Sequence, residues 1–244
     1  MNIEPSDFYL VTVAFNNDFL INQQIKLVKK HITDKNFLHI IADNSTDRKK
    51  RAAIQYACQR EKVGYIALPY NIWHVQRKMV SYSHGFALNW MYYNVIAKNK
   101  PRYFGFIDHD LFPIKSYSVE EQLQHQDFYG YLNPRFPPAP YLWAGFCFYQ
   151  LAAICNKRLN FLPALANGCY LDTGGANYAV LYKKANLNAM KFAKAKLVNI
   201  GNGKVIHKDY VQYFDESWLH AINGSNWAKV GNKNEQLKKI LGGD

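Results

Sequence analysis

Two aspartates separated by one residue stand where an apolar strand would end. Asp108 and Asp110 flank His109 and directly follow the run Tyr103–Ile107. Two carboxylates at such a position form a hard oxygen site of the kind that Mg²⁺ or Mn²⁺ prefers. An acidic pair that simply begins a turn is the alternative, and the tripeptide alone does not exclude it.

The residues before this pair predict the scaffold that would hold it. Four apolar runs predict strands buried on both faces: Phe8–Phe15, Phe37–Ala42, Val63–Leu68 and Tyr103–Ile107. The segments between them carry apolar residues at helical spacing. We therefore predict an α/β fold with a mostly parallel, Rossmann-like sheet flanked by helices, whose ligands bind at the carboxyl ends of the strands. Neither a repeat nor a domain boundary is evident, so we expect a single domain.

Composition and charge restrict the class of protein. The 244 residues are 49% hydrophobic and 16% aromatic, which excludes a disordered chain. No run approaches the roughly 18 apolar residues of a membrane span, and the first residues lack the basic region of a signal peptide, so we expect a cytoplasmic protein. The net charge of +12 attracts anionic lipid surfaces, phosphorylated ligands and nucleic acid alike.

Four short motifs follow one another along the chain. They are VTVAFN at Val11–Asn16, DNSTD at Asp43–Asp47, LPYN at Leu68–Asn71 and FIDHDLFP at Phe106–Pro113. In order and spacing the set resembles the nucleotide-sugar glycosyltransferases of the GT-A fold, and family 2 in particular. The second motif is similar to that family's D-x-S-T-D stretch and is the most specific of the four. The resemblance extends over roughly Phe8 to Trp227.

The resemblance implies a donor site and a metal site. A nucleoside diphosphate leaving group needs an electrophile, and a divalent cation, Mn²⁺ or Mg²⁺, would supply it. We expect Asp108, Asp110 and His220 to be the metal ligands, with His207 as the competing late histidine. The residues expected to bind the donor are Phe15, Asn16, Asp43, Asn71, Asp108, His109, Trp143 and Gly145.

Two of the donor residues have a structural alternative. For Asp43 the alternative is a plain signal for the start of a helix, with Ser45 or Thr46 as the helix cap. Trp143 would stack on a sugar, but a large aromatic residue after a proline-rich segment equally suits the core.

Asp172 is the candidate for the general base. The family usually carries a Glu-Asp pair after the metal-binding strand, and this chain has a single aspartate there. An inverting transfer needs such a carboxylate to take the proton of the acceptor hydroxyl. Asp172 also precedes a predicted helix from about Thr173 to Lys184, so an N-cap is the alternative.

Together with the resemblance, these residues predict a metal-dependent glycosyltransferase. We expect roughly residues 1–113 to bind the nucleotide-sugar and residues 114–244 to bind the acceptor, with inversion by direct displacement. The acceptor would be a glycan or lipid-linked sugar in cell-surface polysaccharide synthesis at the inner face of a membrane. The basic charge would allow peripheral contact with anionic lipid there.

Three other functions fit parts of the sequence. A retaining family 8 glycosyltransferase shares the pattern His220-x-x-x-Gly224-x-x-Trp227. Haloacid-dehalogenase-like phosphatases have an acidic pair near the first strand, followed closely by Thr or Val, whereas here the pair follows the fourth strand and Leu111 comes next. A basic nucleic-acid-binding module would suit the charge, but no recognition motif of that class occurs, so we expect no nucleic-acid partner.

Overall fold

The structure is a computed structural model, and it describes residues 4–69, 79–133, 139–201, 209–222, 237 and 239–241. Asn71 and His207 lie outside the described residues, as do Gly224 and Trp227 of the family 8 pattern. Every other candidate site residue lies within them.

Four parallel strands form the first part of a six-stranded sheet. They are β1 (Phe8–Ala14), β2 (Phe37–Asp43), β3 (Gly64–Ala67) and β4 (Tyr103–Asp108). They lie side by side in the order β3-β2-β1-β4. In register, Ala14 pairs with Asp43, and Val13 pairs with Asp108. The strand ends that carry Asp43 and Asp108 therefore lie on either side of the end of β1.

Three helices flank these strands. They are α1 (Asp18–His31), α2 (Arg48–Glu61) and α3 (Val80–Met91). Ile25 of α1 and Ile54 of α2 pack with Ile41 on one face of the sheet, and Leu88 of α3 packs with Ile40 on the other. The prediction of a mostly parallel sheet flanked by helices is confirmed. No helix within the described ranges is both long and apolar enough to cross a membrane.

Helix α2 begins later than a cap at Ser45 or Thr46 would place it, so that alternative is wrong. Its N-cap is Asp47, whose Oδ1 accepts hydrogen bonds from two amides of the first turn at 2.8 and 3.2 Å. The hydroxyl oxygens of Ser45 and Thr46 instead accept from the backbone and side-chain amides of Asn16, at 2.8 and 3.0 Å. The loop before α2 is thereby tied to the end of β1.

The remaining elements complete two sheets and a hairpin. In chain order they are α4 (Ala97–Asn99), β5 (Leu111–Pro113), α5 (Val119–Leu123), β6 (Phe128–Leu132), β7 (Leu142–Gln150), α6 (Leu151–Ile154), β8 (Ala164–Ala166), β9 (Cys169–Leu171), β10 (Ala195–Asn199), β11 (Tyr210–Phe214) and β12 (Trp218–His220). Strand β7 pairs antiparallel with both β4 and β6 and so extends the first sheet. A second, antiparallel sheet has the order β10-β11-β12-β5, and β8 pairs with β9.

The segment from Thr173 to Lys184 differs from the predicted single helix. It contains a 3₁₀ helix at Gly175–Asn177 and a π-helical segment at Tyr178–Tyr182. Gly174, just before them, has a φ of 91°, a left-handed conformation that suits glycine. A Cβ at Gly174 would also lie 3.1 Å from a carbonyl oxygen of β7. Close packing on β7 therefore forces a turn where the local pattern favours a helix.

The chain passes from the first sheet to the second through the acidic pair. Strand β4 ends at Asp108 and β5 begins at Leu111. Because β5 pairs with β12, Leu111 is opposite His220 in register. The junction of the two sheets thus brings the late histidine to the acidic pair.

Candidate functional site

An open cleft lies at the carboxyl ends of the parallel strands. Its empty volume, which includes the space open to solvent, is about 560 Å³. The residues that line it are Val13, Phe15, Asn44, Val80, Ser83, His84, Asp108, His109 and Asp110. The structure therefore brings four of the predicted site residues to one cleft: Phe15, Asp108, His109 and Asp110.

The carboxyl groups of Asp108 and Asp110 are both largely removed from water. The Asp108 side chain is 25% exposed and that of Asp110 is 9% exposed. Burial, with the nearby Asp110 carboxylate adding to it, raises the pKa of Asp108 well above that of a free aspartate. Two desolvated acids in one cleft are favourable only with a proton or a cation beside them. That a divalent cation binds here stays a prediction.

His220 lies beside this pair, and a hydrogen bond to its other ring nitrogen orients the ring. Its Nε2 lies 3.7 Å from Oδ1 of Asp110. Its Nδ1 lies 3.1 Å from Oε1 of Gln212 on the neighbouring strand. An amide oxygen only accepts, so Nδ1 donates to Gln212 and Nε2 is turned towards Asp110. Metal-binding histidines are commonly oriented by a second hydrogen bond of this kind. The expected proximity is present, and metal ligation stays a prediction.

His84 also lines the cleft, and it is not among the site residues predicted from the sequence. It lies on α3, and its Nε2 is 3.5 Å from Oδ1 of Asp108. Burial lowers the pKa of His84, and the carboxylates of Asp172 and Asp110 are near enough to oppose that shift. The next residue, Gly85, lets α3 pack closely on the segment after α6, because a Cβ there would lie 2.7 Å from a backbone oxygen of that segment. A histidine beside a glycine on an apolar helix is the sequence signal that would have identified it.

His109 lines the cleft, and one of its ring nitrogens has no hydrogen-bond partner among the described residues. Its Nδ1 lies 3.3 Å from the carbonyl oxygen of Val13, which can only accept, so Nδ1 carries the hydrogen. Its Nε2 is buried and has no hydrogen-bond partner among the described residues. In a neutral ring this nitrogen is an acceptor that suits a ligand hydroxyl. The placement is compatible with the predicted contact to a donor.

Asp43 and Asn16 are engaged within the protein. The buried carboxylate of Asp43 accepts from the Ser45 amide and the Tyr65 hydroxyl, both at 2.9 Å. The guanidinium of Arg51 lies 3.8 Å from it. The side-chain oxygen of Asn16 accepts from two backbone amides of the loop before α2, at 3.0 and 2.9 Å. Neither residue is among those that line the described cleft, so their contact with a donor stays a prediction.

Trp143 packs over Gly145 and against His220. The centroid of its ring lies 4.9 Å from that of His220 and 6.0 Å from that of Phe214. A Cβ at Gly145 would lie 2.2 Å from the indole, so this ring position requires glycine. The ring is only partly buried. Trp143 therefore packs beside the late histidine, and its stacking on a sugar stays a prediction.

Asp172 follows β9 and lies near the acidic pair. Its Oδ1 accepts from the amide and the hydroxyl of Thr173, at 2.7 and 3.4 Å. Its charge adds to the rise in the pKa of Asp108 and opposes the lowering of the pKa of His84, so Asp172 lies within electrostatic reach of both. The helix cap considered as its alternative is wrong, because the 3₁₀ helix that follows has Gly174 as its N-cap.

This chain is similar to known structures only at low sequence identity. No protein-family model and no curated protein matches the sequence. Among solved structures, this chain is similar to the galactosyltransferase LgtC in complex with donor and acceptor sugar analogs, at 12% identity and a TM-score of 0.39. The match covers 59% of this chain and 58% of the LgtC chain. For an active-site mutant of LgtC the match covers 59% of this chain and 57% of the mutant, at 14% identity and a TM-score of 0.38. For TarS of S. aureus it covers 59% of this chain and 28% of TarS, at 13% identity and a TM-score of 0.37. This chain spans less than two thirds of each, and likeness of this degree decides neither family nor activity.

Proposed function

We propose that this chain is a GT-A-type glycosyltransferase that moves a sugar from a nucleotide-sugar donor to a hydroxyl acceptor. The observation that carries the proposal is the convergence of two desolvated carboxylates, Asp108 and Asp110, with His84, His109 and His220 at the end of a parallel sheet. Such a site combines a place for a cation with partners for sugar and phosphate oxygens. The four motifs that resemble family 2 support the donor class.

The residues that would hold a divalent ion, Mn²⁺ or Mg²⁺, are Asp108, Asp110 and His220. In the part of the chain that the structure describes, no group of three or more His, Cys, Asp or Glu side chains is arranged to hold a metal ion. The ion would therefore need ligands from water and from the donor diphosphate. When bound, it supplies positive charge to the diphosphate leaving group. The burial of the acids and the orientation of His220 by Gln212 support this assignment.

His109 and Asp172 would act on the donor and the acceptor respectively. Nε2 of His109 would accept a hydrogen bond from a ribose or sugar hydroxyl and so orient the donor. Asp172 would take the proton of the acceptor hydroxyl as that oxygen attacks the anomeric carbon. The bond to the diphosphate breaks on the opposite face, and the diphosphate leaves with the electron pair. This arrangement inverts the anomeric configuration, whereas a retaining enzyme of the family 8 kind is the alternative.

The acceptor would approach over apolar side chains. Val80 lines the cleft and is 62% exposed, and Tyr170, two residues before Asp172, is 48% exposed. Both suit the apolar face of a glycan or the lipid of a lipid-linked sugar. The net charge of +12 supports peripheral contact with an anionic inner membrane surface. Synthesis of a cell-surface polysaccharide is the process that combines these features.

A thermal-shift screen tests the proposal. UDP-, GDP-, CMP- and dTDP-sugars are added with and without Mn²⁺, since a ligand that binds only the folded state raises Tm by mass action. We expect one nucleotide class to raise Tm only when Mn²⁺ is present. No response to any nucleotide-sugar, together with salt-sensitive binding of an oligonucleotide, would indicate a nucleic-acid-binding protein instead. The anomeric configuration of the product, read by NMR, separates inversion from retention.

A further inference from the structure

A glutamine lies where the pattern of α1 favours an apolar residue. Gln24 is 0% exposed and shares the buried face of the helix with Leu20, Ile21, Ile25 and Val28. Burying an amide costs free energy unless its polar atoms are hydrogen-bonded. Hydrogen-bond partners must therefore offset the free-energy cost of burying the Gln24 amide.

Both hydrogens of the Gln24 amide go to the turn that carries the acidic pair. Nε2 donates to the carbonyl oxygen of Asp108 and to that of Leu111, each at 2.7 Å. These carbonyls stand at the end of β4 and the start of β5, on either side of His109 and Asp110. One side chain thus joins both ends of the turn.

The oxygen of the Gln24 amide accepts a hydrogen bond from a side chain of the sheet. Oε1 of Gln24 accepts from the Thr12 hydroxyl at 2.8 Å, and Oγ1 of Thr12 lies 3.0 Å from Nε2 of His39. Because the Thr12 hydrogen is directed to Gln24, His39 must be the donor in the second contact. All three side chains are buried. A continuous hydrogen-bond chain therefore runs from β2 through β1 and α1 to the turn.

Other contacts hold the middle of the turn. Nδ1 of His109 donates to the carbonyl of Val13, and the carbonyl of Asp110 accepts from the Ala221 amide at 2.8 Å. Each of these positions one residue. Gln24 instead fixes the separation of the two ends, and with it the directions in which the Asp108 and Asp110 carboxylates leave the backbone.

We propose that Gln24 is a positioning residue, which aims the two carboxylates by tying both ends of the Asp108–Leu111 turn to α1. The inference rests on the function proposed above for its consequence in ligand binding. Gln24 is fully buried and so touches no substrate. Loss of its two hydrogen bonds would leave two carbonyls without their partner and let the turn relax.

Gln24→Met tests this, because methionine has a similar length and no donor. We expect the affinity for a nucleoside diphosphate with Mn²⁺, measured by calorimetry, to fall about tenfold or more, in line with losses at residues that support metal ligands. Hydrogen exchange at the His109–Leu111 amides should quicken beyond what the change in Tm explains. If Gln24→Met does not fold, Gln24→Asn replaces it, since an amide one methylene shorter cannot reach both carbonyls.

Thr12→Val is the matched control. It removes a hydrogen bond from the same buried chain, but leaves both bonds from Gln24 to the turn. We expect it to lower Tm while affinity and amide exchange at the turn stay near the wild-type values. Equal losses of affinity in the two variants, or none in Gln24→Met, would overturn the inference. If the wild type binds no nucleoside diphosphate, the proposed function fails, and hydrogen exchange at the turn decides alone whether Gln24 positions it.

Discussion

Nε2 of His220 lies 3.7 Å from Oδ1 of Asp110, because β12 pairs with the strand that follows the acidic pair. The other ring nitrogen is held by Gln212 at 3.1 Å. An imidazole from one end of the chain and a carboxylate from its middle are thus set side by side by strand pairing. The arrangement leads to tests of the metal site, the base and the packing around them.

The first test removes one negative charge from the acidic pair. Asp110→Asn keeps the size of the side chain but weakens a hard oxygen site, so it should abolish Mn²⁺-dependent donor binding in calorimetry. We expect the fold, followed by circular dichroism, to be unchanged. Asp127→Asn, at an exposed position, is the charge-matched control and should bind as the wild type does. Equal donor affinity in Asp110→Asn and wild type would refute the metal assignment.

The second test concerns the late histidine. His220→Ala should weaken Mn²⁺-dependent diphosphate binding roughly tenfold or more, because it removes a nitrogen turned towards Asp110. His207→Ala and the exposed control His125→Ala should have smaller effects in the same titration. A larger loss in His207→Ala than in His220→Ala would transfer the ligand role to His207.

The third test separates chemistry from binding at Asp172. In Asp172→Asn the side-chain oxygen can still accept from Thr173, but the residue can no longer take a proton. We expect sugar transfer to fall by roughly 10²-fold or more, with donor affinity and Tm nearly unchanged. Transfer that survives in this variant would show that another group is the base.

The fourth test uses the pH dependence of stability. His39 is buried, and burial lowers its pKa to about 3 in the folded protein, below the ordinary value of 6.5. The unfolded chain therefore binds the proton more readily, so stability is lost as the pH falls from about 6.5 towards 3. His39→Gln retains a donor for Thr12 without titrating. Its Tm should fall less steeply than that of wild type between pH 7 and 4, and identical slopes would contradict the prediction.

The fifth test concerns the space that Gly145 leaves for an indole. A Cβ there would lie 2.2 Å from Trp143, so Gly145→Ala should destabilise the protein by about 1–3 kcal/mol, as overpacking does. In the Trp143→Ala background most of that cost should vanish. Denaturant unfolding of the four proteins of this double-mutant cycle measures the coupling. Equal destabilisation by Gly145→Ala in both backgrounds would mean that the Trp143 ring is not the reason why position 145 requires glycine.

The positions of the first four strands follow from the sequence because strand and helix periods are local. The runs that predict β1 and β4 end within one residue of the observed strands, so Asp108 is placed at a strand end without any tertiary information. The cap of α2 at Asp47 is missed for the opposite reason. Ser45 and Thr46 are good caps by type, but the distant Asn16 occupies their hydroxyls.

The sequence by itself determined the first four strands and the place of the acidic pair after the fourth, because residue type and spacing along one strand carry that information. Only the tertiary structure decided which side chains surround the pair. Nε2 of His84 on α3 lies 3.5 Å from Oδ1 of Asp108, and Gln24 of α1 donates to the carbonyl of the same aspartate. Such contacts join residues far apart in the chain, and they depend on how helices and strands pack, which no local pattern encodes.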